Sequence, residues 1–439
     1  MNRSYRLVLL ASLLASVACS LVPTPEPTGE AGTPGEPTAP SPGDPGPTEE
    51  VTPPPSDVPL PPLATPVSRI VYSDSGDVWV LEEDGSTHQL TSDGGASSVL
   101  ISGDGARIAY LWRPTPEAHS ELRAINADGT GSAALLTASE LDAFYPLSEG
   151  WIGTDISQIA FIPGTHRLAF NTYQIPEFIG FIKHDDLWTI DTETAELSPL
   201  LTAGEGGDFL FSPDGARTAV ITPISVGMIN TDGTNHRPDL ITFPWVITYS
   251  EFLFYPLAVW GSGSGTLGAT IPSEDPLADS ISGTIWTIPA DAGPASAVAT
   301  IPGNFYFHFW QSSALSPDFN RVAFTRRAGP TDEDLYLAAS DGTGEVIYTT
   351  GQIDWAGWSP DSTHFAYRTG TPSTLMIGAP GETPAPIGPG IDLRWVNETE
   401  YLYLAGGMGA WTLNRGTVGG LPEILVGPAG DFVSYDFTR

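Results

Sequence analysis

The sequence predicts an all-β fold, an eight-bladed β-propeller, with seven blades as the alternative. Three observations carry this expectation. A Ser-Pro-Asp-Gly-like turn, followed by arginine and a short apolar strand, recurs along the chain. A second turn, Asp-Gly-Thr, recurs between its copies. The segments beside both turns alternate apolar and polar residues with the period of two expected of a half-buried strand.

The chain starts differently. Residues 1–18 carry Arg3 and Arg6 and then an apolar run too short to span a bilayer, which is the pattern of a signal segment. The run ends Ser16-Val17-Ala18-Cys19, and Cys19 is the single cysteine of the chain. A small residue directly before that cysteine resembles a bacterial lipobox, with Ser16 where that family usually has leucine. The resemblance implies cleavage before Cys19, lipidation of its thiol and a durable anchor in the bacterial cell membrane. An ordinary secretory leader is the alternative. Residues 19–66 hold 16 of the 42 prolines, seven acids and no base. With almost no large apolar side chains they cannot bury a core, so a disordered tether is expected. At about 3.1 Å per residue it reaches roughly 140 Å. The folded domain is expected over 67–439.

From Arg69 the repeat can be followed turn by turn. Clear copies are Ser102-Gly103-Asp104-Gly105-Ala106-Arg107 and Ser212-Pro213-Asp214-Gly215-Ala216-Arg217. Degenerate ones are Ser316-Pro317-Asp318 before Arg321, Ser359-Pro360-Asp361 before His364, and Pro163-Gly164 before Arg167. Asp-Gly chemistry of this kind closes antiparallel hairpins. The second turn is Asp84-Gly85-Ser86, Asp128-Gly129-Thr130, Asp232-Gly233-Thr234 and Asp341-Gly342-Thr343. Each unit then has strands a to d, with tight turns a–b and c–d. The b strands fall near Arg69, Arg107, Arg167, Arg217, Leu267, Arg321, His364 and Tyr401, about 46 residues apart, which is a propeller blade length. Blade 1 lacks an a strand before Arg69, and the C-terminal residues 431–437 can supply it and close the ring. Trp79, Trp188 and Trp286 sit at matched strand positions and are expected to pack between blades. Arg107, Arg167, Arg217 and Arg321 recur in register and are expected to be structural, pairing with the turn aspartates. These turns resemble TolB-type, WD-like propellers across nearly the whole folded domain. That resemblance implies the fold and no particular function.

Composition excludes several activities. The chain has 17 Lys+Arg against 52 Asp+Glu, and Lys183 is its single lysine, so it has no basic surface for nucleic-acid phosphates. One cysteine rules out internal disulfides, Cys-based zinc sites and thiol catalysis in the folded domain. No metalloprotease, nucleophile-elbow, P-loop or EF-hand spacing occurs. Gly263-Ser264-Gly265-Thr266-Leu267-Gly268 matches Gly-x-Gly-x-x-Gly but lies in a strand–strand turn, where no helix follows to hold a pyrophosphate. No catalytic residue, metal or cofactor is assigned. Within His184-Asp185-Asp186, strand alternation lets at most His184 and Asp186 converge.

The insertions are asymmetric. The expanded segments 113–121, 138–157, 173–185, 243–255, 272–282, 302–311 and 328–332 all connect b to c or d to a, so all belong to the face opposite the tight turns. They are rich in aromatics, and function tends to sit on loops held by a rigid scaffold. The candidate ligand-binding residues are Trp151, Tyr173, Phe178, His184, Trp245, Tyr306, His308 and Trp310. The expected function is a monomeric, extracytoplasmic, membrane-anchored binding module, presenting this face to an envelope protein or glycan. The alternative is a propeller enzyme, of polysaccharide lyase or hydrolase type, working in the central funnel.

Overall fold

A computed structural model describes residues 68–439 apart from 116–117, 177–179, 307–311, 408, 431–433 and 439. Cys19, Phe178, His308 and Trp310 therefore lie outside the described residues, as do the leader and the tether.

The strands form eight antiparallel sheets in chain order, so the eight-blade count holds. Every b strand starts within a residue of its expected position: Arg69–Asp74, Arg107–Trp112, Arg167–Pro176, Arg217–Ile221, Thr266–Pro272, Arg321–Arg327, Phe365–Thr369 and Glu400–Ala405. Blade 1 obtains its inner strand from the C-terminus, where Tyr435–Phe437 pairs antiparallel to Ile70, Val71 and Tyr72. That strand also fastens its neighbours. Asp436 accepts the Ile101 amide of blade 2 at 3.0 Å, and the Tyr435 hydroxyl donates to the Leu402 carbonyl of blade 8 at 3.2 Å.

The turns explain the repeat. In Ser102, Ser212, Ser316 and Ser359 the hydroxyl donates to the aspartate two residues on, at 2.5–2.7 Å. The same hydroxyl accepts the amide five residues on, at 2.9–3.0 Å. In the second turn Asp128, Asp232 and Asp341 each accept both the amide and the hydroxyl of the following threonine. Here the side chains supply the hydrogen bonds that the bent backbone cannot.

Of the four register arginines Arg217 does pair with a turn aspartate, Asp291 in the c–d turn of blade 5, while Arg107, Arg167 and Arg321 bond elsewhere, which corrects the sequence expectation for those three. Arg69 reaches the Gly105 carbonyl of the next blade at 2.8 Å, Arg217 the Asp291 carboxylate at 2.5 Å, and Arg321 the Ser362 carbonyl at 3.4 Å. Arg107 bonds Thr192 Oγ1 of blade 3 at 3.3 Å, whereas Arg167 stays within its own blade, on Thr189. Blades 2 and 3 are also joined at this rim by His166, whose ring nitrogens lie 2.9 Å from Asp104 of blade 2 and 2.9 Å from Glu193.

The apolar core is divided among the blade interfaces. Eight buried clusters each join two consecutive blades, the last joining blade 8 to blade 1 through Leu402, Leu404, Tyr435 and Phe437. Trp79, Trp188 and Trp286 each pack against one of these clusters, as expected from their matched positions. Inter-blade indole bonds add to this. Trp260 donates to the Leu210 carbonyl and Trp358 to the Ala314 carbonyl, each at 2.9 Å.

Candidate functional site

Antiparallel pairing puts the a–b and c–d turns on one face and the b–c and d–a connections on the other. On this second face the expanded segments of blades 3 to 5 meet. The Ile247 amide donates to the Glu274 carbonyl at 2.7 Å, and the Tyr249 hydroxyl to Asp275 at 2.8 Å. An aromatic series runs from Tyr173 to Phe181 to Phe252, with ring centroids 5.2 and 5.0 Å apart. A second pair, Phe254 and Tyr306, lies with ring centroids 4.7 Å apart and planes tilted by 32°. Residues 245–253 curl around a concavity of about 660 Å³.

Part of the aromatic set is packing and part is surface. Phe305 is buried against Phe324, and Phe144 lies against Trp188. In contrast Trp245 is 60% exposed, Tyr249 61%, Leu253 50%, Leu277 73%, and Phe181 and Ile182 41% and 49%. Among the described residues, Leu421 is the single large apolar side chain comparably exposed in a tight turn. The two faces thus differ in exposed apolar surface as well as in loop length.

The candidates occupy different environments. Trp245 stands on the rim of the concavity. Trp151 is half-buried and opens a long inner strand of blade 3, Trp151–Phe161, where it pairs with Pro176. Tyr173 lies on the b strand Arg167–Pro176, so part of segment 173–185 is strand and not loop. Burial and the nearby Asp155 push its hydroxyl pKa up to about 12. Tyr306 is half-buried, and burial raises its pKa to about 12 as well. A one-turn helix, Ala138–Asp142, opened by the capping box of Thr137 and Glu140, interrupts segment 138–157.

His184 lies in a dense polar cluster made by blade 3 and the segment that leads into it. A short strand, Ile182–Lys183, pairs with Gln174 and Tyr173, and the ladder continues as the His184 amide donates to the Thr172 carbonyl at 3.0 Å. His184 Nδ1 is 2.7 Å from Thr172 Oγ1, which is 2.7 Å from Asp186 Oδ2. Asp186 is fully buried and also accepts the Thr172 amide at 2.8 Å, the Trp188 indole at 2.8 Å and the Tyr145 hydroxyl at 3.0 Å. The Tyr145 ring stacks on His184 at 3.8 Å. His184 and Asp186 both reach Thr172, although residues 184–186 are not strand and Asp185, at φ 47°, breaks the alternation. Tyr145, one of the aromatics of expanded segment 138–157, and Thr172, which carried no signal in the sequence, connect them.

Beside this lies a second set. Tyr255 donates to Asp185 at 2.7 Å, and Lys183 pairs with Asp208 while lying 4.0 Å over the Tyr255 ring. Burial, opposed by the Tyr255 hydrogen bond, holds Asp185 above the usual carboxylate range. Burial and the adjacent Asp185 raise Tyr255 far above an ordinary phenol. Burial lowers His184, with Asp186 partly opposing it, so the imidazole is uncharged at neutral pH. Gly206 makes the close packing beneath this segment possible, since a Cβ there would lie 2.4 Å from the Asp186 carbonyl carbon. Among the described residues no three His, Cys, Asp or Glu side chains gather as a metal site requires, and no helix is long and apolar enough to cross a membrane.

No family model and no curated protein matches the chain. Solved structures similar to it include the following. TolB from Acinetobacter baumannii is 14% identical, with 74% of this chain and 79% of that one covered and a TM-score of 0.34. Oligogalacturonate lyase from Vibrio parahaemolyticus is 12% identical over 70% of this chain and 84% of that one, at 0.43. The β-propeller domain of the Trilobed protease from Pyrococcus furiosus is 12% identical over 79% of this chain and 97% of that one, at 0.40. At these identities the likeness is one of fold.

Proposed function

We propose that the protein is a binding module whose working surface is the loop-bearing face of blades 2 to 6, with a protein or a glycan as its partner. The observation that carries this reading is the exposed apolar rim formed by Phe181, Trp245, Tyr249, Leu253 and Leu277, against tight turns in which, among the described residues, Leu421 is the one such side chain. Uncovered apolar area of this kind is characteristic of contact surfaces. Trp151, Tyr173, Phe178, His184, Tyr306, His308 and Trp310 complete the proposed surface. Blade closure through the C-terminal strand supports a rigid platform for these loops.

The same proposal places the domain outside the cytoplasm, held by a lipid on Cys19 through residues 19–66 after removal of residues 1–18. Arg69 lies on the tight-turn rim, hydrogen-bonded to Gly105 and to Thr438.

The test is capture of partners by the full chain, solubilised from bacterial membranes, in parallel with glycan-array binding. Partners lost by Trp245→Ser with Leu253→Ser, and retained by Asp128→Ala with Asp341→Ala, support the assignment. The reverse pattern contradicts it.

A further inference from the structure

Asp275 joins the two segments that carry most of the exposed apolar rim. Its Oδ1 accepts the Tyr249 hydroxyl from segment 243–255 and the Leu277 amide from its own loop, each at 2.8 Å. The Ile247 amide, on the Glu274 carbonyl, fixes the same junction. Trp245, Tyr249 and Leu253 of the concavity thereby share one surface with Leu277, all four at least half exposed.

The charge on this surface has one sign. Residues 238–307 contain six acids and no Lys, Arg or His, in a chain with 17 Lys+Arg. Four of the six lie in the two segments: Glu251, on the wall of the concavity, and Glu274, Asp275 and Asp279. Glu251, Glu274 and Asp279 are exposed, and among the described residues none of their carboxylates has a hydrogen bond or ion pair. Elsewhere acids and bases neutralise each other. Twelve ion pairs occur among the described residues, and none includes these four acids. Of the bases on neighbouring segments, Lys183 is held by Asp208, and Arg327 shares the cleft beyond Leu277 with Asp332, Glu333 and Asp354.

Building on the loop-face reading above, we propose that this surface takes a basic segment of a partner protein, one that combines arginine or lysine with large apolar side chains. The carboxylates supply the counter-charge, and the Trp245 and Tyr249 rings supply faces for a guanidinium or ammonium group. Leu253 and Leu277 offer aliphatic contact to the partner's apolar side chains. A neutral glycan meets neither need. Covering these carboxylates without a cation costs free energy, and branched aliphatic side chains give a sugar ring no flat face to stack on. An acidic glycan adds repulsion. Opposite charge steers the encounter, so the association is salt-sensitive.

The experiment uses the full chain in detergent, with matched synthetic peptides that place leucine beside arginine, glutamate or serine, and with neutral gluco- and galacto-oligosaccharides. Calorimetry at low salt is expected to show binding of the arginine peptide alone, weakening as salt is raised. Glu251→Gln with Glu274→Gln, Asp275→Asn and Asp279→Asn, checked for an unchanged melting temperature, weakens it about tenfold. Glu83→Gln with Glu196→Gln, Glu398→Gln and Glu423→Gln removes the same charge from exposed acids at or beside the tight turns and leaves affinity unchanged. A photo-crosslinking form of the arginine peptide attaches within 243–255 or 272–282, a readout that needs no variant. Equal weakening by the two quadruple variants, attachment elsewhere, or no binding of the arginine peptide overturns the inference. So does preference for the serine peptide, the glutamate peptide or an oligosaccharide. If a captured protein or glycan depends on Trp245 and Leu253 but not on the four acids, the loop-face reading stands and this inference falls.

Discussion

Asp186 and His166 both join segments of different origin. Asp186 has no exposed surface and four donors aimed at it. Asp186→Asn would turn an amide group toward some of these donors, and a loss of about 1–3 kcal/mol in denaturant unfolding is expected. His166 is opposed by burial, but hydrogen bonds to Glu193 and Asp104, and their charges, raise its pKa above the ordinary value. A base with a raised folded-state pKa contributes its full stabilisation below the unfolded pKa, near 6.5, and loses it as pH rises through the folded value. His166→Gln should therefore lower the melting temperature more at pH 5.5 than at pH 8.5. Equal shifts at the two pH values would show that the staple between blades 2 and 3 does not depend on charge.

At the scale of elements, closure makes the strongest claim. Tyr435 is fully buried and Phe437 is 4% exposed, both within the cluster that joins blade 8 to blade 1. Deleting residues 431–439 removes this burial and opens two edges, so a cost of about 3–6 kcal/mol is expected from the two rings alone. Melting at the wild-type temperature would contradict ring closure by this strand. The sequence showed most b strands because their turns and arginines have fixed chemistry, and it showed the closing strand because blade 1 lacks an a strand before Arg69. The blade 3 hairpin escaped for a physical reason. Its a and b strands, Trp151–Phe161 and Arg167–Pro176, run past the blade's usual length, with irregularities at Trp151/Gly153 and Ile156/Gln158. No glycine–proline turn stands where a regular blade would stop, so alternation beyond that point looked like loop.

Across the whole molecule, eight apolar interfaces build a rigid ring, and its two faces receive different side chains. One face is made of turns whose aspartates and threonines satisfy their own backbones. The other carries long segments that pack on one another and still leave Trp245, Tyr249, Leu253 and Leu277 in solvent. The rest of the candidate site was only partly legible, because composition marks aromatic loops without saying which rings, such as Phe305, turn inward. Anchoring makes a separate expectation at this scale: labelled fatty acid should enter the full chain and not Cys19→Ser, and equal labelling would exclude a lipid on that thiol. The central claim, binding on the loop face, is tested most directly by hydrogen–deuterium exchange of the full chain with and without a captured partner. Slowed exchange in segments 173–185, 243–255 and 272–282, with unchanged turns at Asp128, Asp232 and Asp341, is the expected result. Protection confined to those turns, with the three segments unaffected, would contradict it.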